Sequence, residues 1–299
     1  MRSKPSGRQL SWLAAGLVVA VAALLFVRLP DSSSDQDDTA KDPLTTVEDF
    51  AAALRPDAPY RPPEPDERRA LVATLTKLGP LTPGTSPPGF RTSRGVDPRT
   101  GRPFAILSST PNGERGWGLY LVDLSSAARV AVQVPHPRAD LRTERLGVAL
   151  FRQLPGAVLM VAGTHRRVAN GAGDVAHETD SMFHAVAEDQ SRRGLPQIQL
   201  HGFEDTSLPD ADVILSAGAG EHRREHEDAA DRIERAGLRV CAAWRSRCGD
   251  LEGRRNRQGI AAADENTPFV HVEISRTVRD TPTQWRPLLT ALATSFHPN

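Results

Sequence analysis

Apolar and polar residues fall along this chain in short runs whose period changes. Residues 103–108 (PFAILS), 118–122 (GLYLV), 129–134 (RVAVQV), 157–162 (AVLMVA), 197–200 (QIQL), 213–216 (VILS), 238–242 and 270–274 (VHVEI) are apolar stretches bounded by turn residues. They predict strands. Between them the spacing becomes helical. Leu146, Ala149, Leu150 and Gln153 share one face of a helix predicted over 142–154, and 221–236 predicts a helix with a polar face. A shorter helix over 66–78 carries Leu71, Leu75 and Leu78 on one side and ends at Gly79-Pro80. Strands alternating with helices predict an α/β fold, with a mostly parallel or mixed central sheet and helices on both faces. No internal repeat, P-loop, nucleophile elbow or dinucleotide fingerprint is present.

One run departs from this pattern. Residues 10–27 (LSWLAAGLVVAVAALLFV) contain no charge and follow Arg2, Lys4 and Arg8. As a helix they would span about 27 Å, close to the hydrocarbon thickness of a bilayer. The basic flank predicts that residues 1–28 form a cytoplasmic flank and a single-pass anchor in the cell membrane, with the rest extracytoplasmic. A cleaved signal peptide is the rival, and no small-x-small site follows the run. Residues 29–65 are rich in Pro, Asp and Ser and predict a disordered linker. Residues 66–299 are then the folded extracytoplasmic domain.

Composition narrows the function. Lys plus Arg and Asp plus Glu each number 37, so the net charge is zero. A nucleic-acid partner would normally bring a basic excess, so none is expected. The two cysteines, Cys241 and Cys248 in CAAWRSRC, exclude a disulfide-dense scaffold; in an oxidising compartment they predict one small disulfide.

The nine histidines carry the chemistry. His136, His165 and His201 each directly follow or end a predicted strand, where open α/β sheets bind ligands. Asp140 and Glu144 follow His136 at four and eight residues. Asp140 has the alternative role of a helix cap, so Glu144 is preferred as the ligand. His136, Glu144 (with Asp140 as its alternative) and His201 give two imidazoles and a carboxylate, the composition of a catalytic zinc site with an open position. Glu273 alternates with Val270 and Val272 and faces away from them, which makes it the candidate general base. GTHRR supplies His165 and Arg166 as substrate contacts, an Arg being suited to a carboxylate. Asp174 and His177 follow the Gly-rich turn NGAGD as further substrate-binding candidates. The basic segment LEGRRNRQG at 251–259 is either a substrate loop pinned by the disulfide or a solvated loop. His222 and His226 flank two arginines on a charged helix and are left out of the site.

With these residues in place, the stretch from about 130 to 279 resembles the zinc-dependent amidohydrolases and carboxypeptidases of the phosphorylase/hydrolase-like fold. These are the zinc carboxypeptidases, N-formylglutamate amidohydrolases and zinc N-acetylmuramoyl-L-alanine amidases. The resemblance implies His, Glu and a second His on zinc with a late Glu as base, in the order His136, Glu144, His201, Glu273. The carboxypeptidase His-x-x-Glu spacing is absent, which leaves the first carboxylate open between Asp140 and Glu144. His177 stands where those families place an Asn-Arg substrate pair. The implied function is hydrolysis of an amide or peptide bond; the expected location outside the cytoplasm, and no particular residue, points to an envelope peptide as substrate. The alternative is a non-catalytic envelope binding or assembly protein on the same fold, which would hold no metal.

Overall fold

The computed structural model describes residues 42–79 and 86–296. The anchor expected over residues 1–28 and the first part of the linker lie outside the described residues. Among the described residues, no helix is long and apolar enough to cross a membrane.

Nine strands form one mixed sheet. In chain order they are β1 (Arg91–Val96), β2 (Pro103–Ser108), β3 (Leu119–Asp123), β4 (Val130–Val134), β5 (Ala157–Val161), β6 (Gln197–Phe203), β7 (Val213–Ser216), β8 (Val240–Ala242) and β9 (Phe269–Ser275). Across the sheet the order is β1-β2-β3-β5-β4-β6-β9-β7-β8. The first three form an antiparallel meander that joins β5 antiparallel. The centre, β5-β4-β6-β9, is parallel, and β7 lies antiparallel to β9. Every strand expected from the sequence is present. The additional β1 was missed because RTSRGV has no apolar face to announce it.

The helices are α1 (Pro43–Ala53), α2 (Pro65–Lys77), α3 (Thr143–Phe151), α4 (Met182–Arg192), α5 (Arg224–Arg235), α6 (Arg257–Asp264), α7 (Arg276–Asp280) and α8 (Pro282–Phe296). Strand alternation divides them between two faces. One face is apolar along its length. Val132, Val134, Leu159, Ile198, Leu200, Val270, Val272 and Ile274 pack there with residues of α1, α3, α5, α7 and α8. Helix α3 lies close against this face at Gly147, where a Cβ would come within 2.8 Å of Val134 and 3.0 Å of Leu159. The other face begins apolar. Ala105, Leu107, Tyr120, Val122, Val158 and Met160 pack under α2 and α4. Over β4, β6 and β9 it turns polar, with buried Gln133, Gln197, Gln199, His201, His271 and Glu273.

The structure corrects the expected linker. Residues 42–53 are part of the fold, because Val47, Phe50 and Ala51 give the Pro/Asp-rich segment one short apolar face. Helix α1 is capped by Asp42, whose carboxylate accepts from the Leu44 N–H at 2.8 Å, and it buries Val47 and Phe50 in the main core. Asp42 also meets Arg152 at 2.6 Å, and Arg152 meets the buried Asp97 at 2.9 Å.

A second polar knot fixes the start of α2. Arg61 donates to both oxygens of Glu67 at 2.8 Å, and the Glu64 backbone N–H adds a third bond at 2.8 Å. The Arg61 bonds outweigh the opposing effect of burial, and with Glu64 they hold the Glu67 carboxyl at about 2. Its folded pKa therefore lies below the unfolded value of about 4.3. The stabilisation is complete above about pH 4.3 and is lost as pH falls through about 2. A Glu67→Gln chain should melt below the parent near neutral pH, and the gap should close on acidification. Thermal unfolding across pH checks this, and a gap that widens in acid would refute it.

Cys241 of β8 is bonded to Cys248, with Cα atoms 6.0 Å apart, as expected from the sequence. By chain-entropy arithmetic a loop this short contributes about 2–3 kcal/mol. Reductant, or Cys241→Ser with Cys248→Ser, should lower the unfolding free energy by that amount. An unchanged denaturant midpoint would count against it.

Candidate metal centre

β4 ends at Val134, and the chain then makes one helical turn in which the Ala139 and Asp140 N–H groups donate to the His136 carbonyl at 3.0 and 2.8 Å. This turn sets His136 and Asp140 on one side. His201 comes from β6 and Glu273 from β9, and the two are direct partners in the sheet register. His136, Asp140, His201, His271 and Glu273 are all buried on the polar face.

Asp140 joins the two expected imidazoles. Its Oδ2 lies 3.3 Å from His136 Nδ1 and 3.1 Å from His201 Nδ1. The far nitrogens are also engaged. His136 Nε2 meets Asp174 Oδ1 at 2.7 Å, and His201 Nε2 meets Gln199 Oε1 at 2.7 Å. The His136 and His201 ring centroids are 5.1 Å apart. Asp174 is held by Arg166 at 2.6 Å and by His177 at 3.2 Å. The four expected substrate contacts divide as follows. Arg166, Asp174 and His177 form a chain leading from His136 outward, and His165 stands beside it, its Nδ1 accepting from the Arg167 N–H at 3.2 Å.

Glu144 is not part of this group. Arg142 adopts a left-handed conformation (φ 75°), so α3 starts on a new course and carries Glu144 away, towards Glu48 and Arg145. The carboxylate between the imidazoles is Asp140. It does not cap α3, whose N-cap Arg142 has no side-chain bond.

The electrostatics follow from burial and pairing. Burial alone would raise the Asp140 carboxyl, but the bonds from His136 and His201 outweigh it and hold it well below the carboxylate range. Burial also acts to lower His136, and its bonds to Asp140 and Asp174 overcome that, so its pKa is raised. His201 and His271 are lowered, first by burial. Glu273 is pushed well above the usual range, first by burial and then by the charge of Asp140.

Two residues of the site escaped the sequence reading. His271 stacks on His201 with centroids 4.5 Å apart, and its Nδ1 is buried with no hydrogen-bond partner, as is Glu273 Oε2. Gln199 faces His201. The signal for both was the alternation already used for Glu273, since QIQLH and VHVE place every second, polar residue on one face. The loop after Cys248 closes over His271. Gly253 has φ +63°, and a Cβ there would come within 2.4 Å of the His271 ring. Beyond it, Arg254, Arg255 and Arg257 line a cavity of about 500 Å³ with His177.

His136, Asp140 and His201 could hold a metal ion, their ligand atoms all lying within 4.8 Å of one another. Tetrahedral zinc with bonds of about 2.0–2.1 Å needs ligand atoms about 3.3 Å apart. The Asp140 separations of 3.1 and 3.3 Å match that, and the donor set is one that zinc takes.

No family model and no curated protein matches the chain. Among solved structures it is similar to a bacteriophage poly-gamma-glutamate hydrolase, with 13% identity, 59% of this chain and 87% of that chain covered and a TM-score of 0.41. It is also similar to the Legionella pneumophila LapA aminopeptidase, with 11% identity, 90% and 78% covered and a TM-score of 0.39. A third is the tripeptide-bound cell shape determinant Csd4 from Helicobacter pylori, with 10% identity, 64% and 55% covered and a TM-score of 0.38.

Proposed function

We propose that this protein is a zinc-dependent hydrolase of an amide or peptide bond, anchored by residues 10–27 with its catalytic unit outside the cytoplasm. One observation carries the chemistry. His136 Nδ1, His201 Nδ1 and Asp140 Oδ2 converge in a buried place while both Nε2 atoms face acceptors, Asp174 and Gln199. An Nε2 facing an acceptor carries the proton, so each neutral ring turns a lone pair towards the Asp140 carboxylate. Three lone pairs meeting away from water repel unless a proton or a cation sits among them. The raised pKa of His136 is the protonic answer, and zinc is the other.

Zinc bound there would polarise a scissile carbonyl and acidify a water at its open position. The remaining work falls to the chain. Glu273 Oε2 has no partner to weaken it and sits where burial raises its basicity. It accepts a proton from the attacking water as the new C–O bond forms. It then returns that proton to the leaving nitrogen as the C–N bond breaks. Arg166, half-exposed and fixed by Asp174, presents a guanidinium for a carbonyl or carboxylate of the substrate. The Cys241–Cys248 disulfide supports an oxidising compartment and, with the uncharged N-terminal run, an envelope peptide as substrate.

The test is elemental analysis of the full chain purified with zinc supplied, paired with a peptide-hydrolysis assay. A stoichiometric ion and turnover are expected. A metal-free chain would sink the proposal and favour a non-catalytic binding protein. Fractionation of cells tests the anchor, and full-length protein in the soluble cytoplasmic fraction would end it.

A further inference from the structure

We propose that Gln199 is a positioning residue. It holds His201 as the tautomer protonated on Nε2, so that Nδ1 keeps its lone pair towards Asp140.

A glutamine side chain can be turned either way, so its direction must come from groups that can only accept or only donate. The buried amides behind His201 end on three such groups. The Ala187 carbonyl accepts from Gln197 Nε2 at 3.3 Å, and the Val175 carbonyl accepts from Gln258 Nε2 at 2.8 Å. Both glutamines therefore turn their oxygens inward. Gln197 Oε1 receives Gln133 Nε2, which leaves Gln133 Oε1 facing Gln199. Gln199 Nε2 donates one hydrogen to Gln133 Oε1 at 2.8 Å and the other to Gln258 Oε1 at 3.1 Å. The third fixed group is at the start of α6. Asn256 Oδ1 accepts the backbone N–H groups of Gln258 and Gly259 at 3.0 and 3.1 Å, so its Nδ2 is the end that donates to Gln199 Oε1, at 2.5 Å.

Gln199 thus has both hydrogens committed, and its oxygen is what meets His201 Nε2 at 2.7 Å. An amide oxygen only accepts, so the proton lies on Nε2. Gln133, Gln197, Gln199 and Gln258 are fully buried. Turning any one of them would set oxygen against oxygen where water does not reach. The direction of one ring is in this way dictated by two backbone carbonyls on the far side of the network and by the cap of α6. Groups that orient a metal-ligating His raise its effectiveness as a ligand. That consequence rests on the zinc reading above, whereas the tautomer does not.

The experiment is nitrogen NMR of the full, zinc-free chain carrying 15N-labelled histidine near neutral pH, with His201 identified through His201→Gln. The expected spectrum has a protonated Nε2 and an unprotonated Nδ1. Gln199→Leu should mix the two tautomers and weaken zinc about 10–100-fold in competition with a chelator. Gln199→Glu, held neutral by burial with its protonated oxygen donating to Gln133 Oε1 or Gln258 Oε1, keeps an acceptor opposite Nε2 and should keep the tautomer, a rescue that a filler of space would not show. A parent chain with the proton on Nδ1 overturns the proposal, whether or not the variants fold. So does a Gln199→Leu chain with parental tautomer and parental zinc affinity. A parent chain with the expected tautomer that takes up no zinc leaves Gln199 in this role and removes the hydrolase reading.

Discussion

Zinc should be lost from the Asp140→Ala chain and retained by Glu144→Ala. Asp140 Oδ2 is the atom shared by the two imidazoles, at 3.3 and 3.1 Å, and without it the site keeps two ligands of three. Loss of an outer partner of a ligand costs about 10–100-fold in affinity, and loss of a ligand itself should exceed that. Glu144 lies on α3 beside Glu48 and Arg145 and touches neither imidazole, so its removal should leave metal content alone. Chelator competition on both chains, with parental protein alongside, reads the difference. Equal losses in the two chains, or loss only in Glu144→Ala, would show that the carboxylate has been assigned to the wrong residue.

The second large effect separates a base from a ligand. Glu273→Gln should bind zinc as the parent does, while turnover falls by about 10²–10⁴-fold, the range a positioned proton acceptor contributes. The amide keeps the size and planarity of the carboxylate. It cannot take a proton at the oxygen that stands buried and unpartnered. Removing this buried carboxylate should also raise stability, because burial disfavours its ionised form. A variant that is stable, fully loaded and as fast as the parent would remove Glu273 from the mechanism.

Much of this was legible in the sequence because strands advertise themselves by period. QIQLH and VHVEI carried both the sheet and the polar face, and His136, His201 and Glu273 could be placed together by where their strands end. The first carboxylate could not be settled the same way. On a continuous helix Asp140 and Glu144 share a side. The chain instead makes one turn at 136–140, passes through a left-handed Arg142 and only then enters α3. A single backbone angle decides the ligand, and nothing in RADLRTE reveals it. Gln199 escaped for a different reason. Its role depends on Gln133 from β4, Gln258 from α6 and Asn256 at the cap of α6, each contributing one hydrogen bond, and long-range partnerships leave no local pattern. Helix α1 escaped because three apolar residues are a weak signal inside a Pro- and Asp-rich segment.

The place of β9 in the sheet has a consequence for how the protein is made. Among the described residues it is the last strand in sequence, yet it lies between β6 and β7. Until residue 275 has left the ribosome, β6 has an open edge, β7 and β8 have no strand to join them to the rest, and His201 has no Glu273 opposite it. The early meander of β1 to β3 can assemble from neighbours in sequence; the half that carries the chemistry must wait. A chain that ends before residue 269 therefore lacks both His271 and Glu273 and leaves β7 and β8 without the strand that joins them to β6.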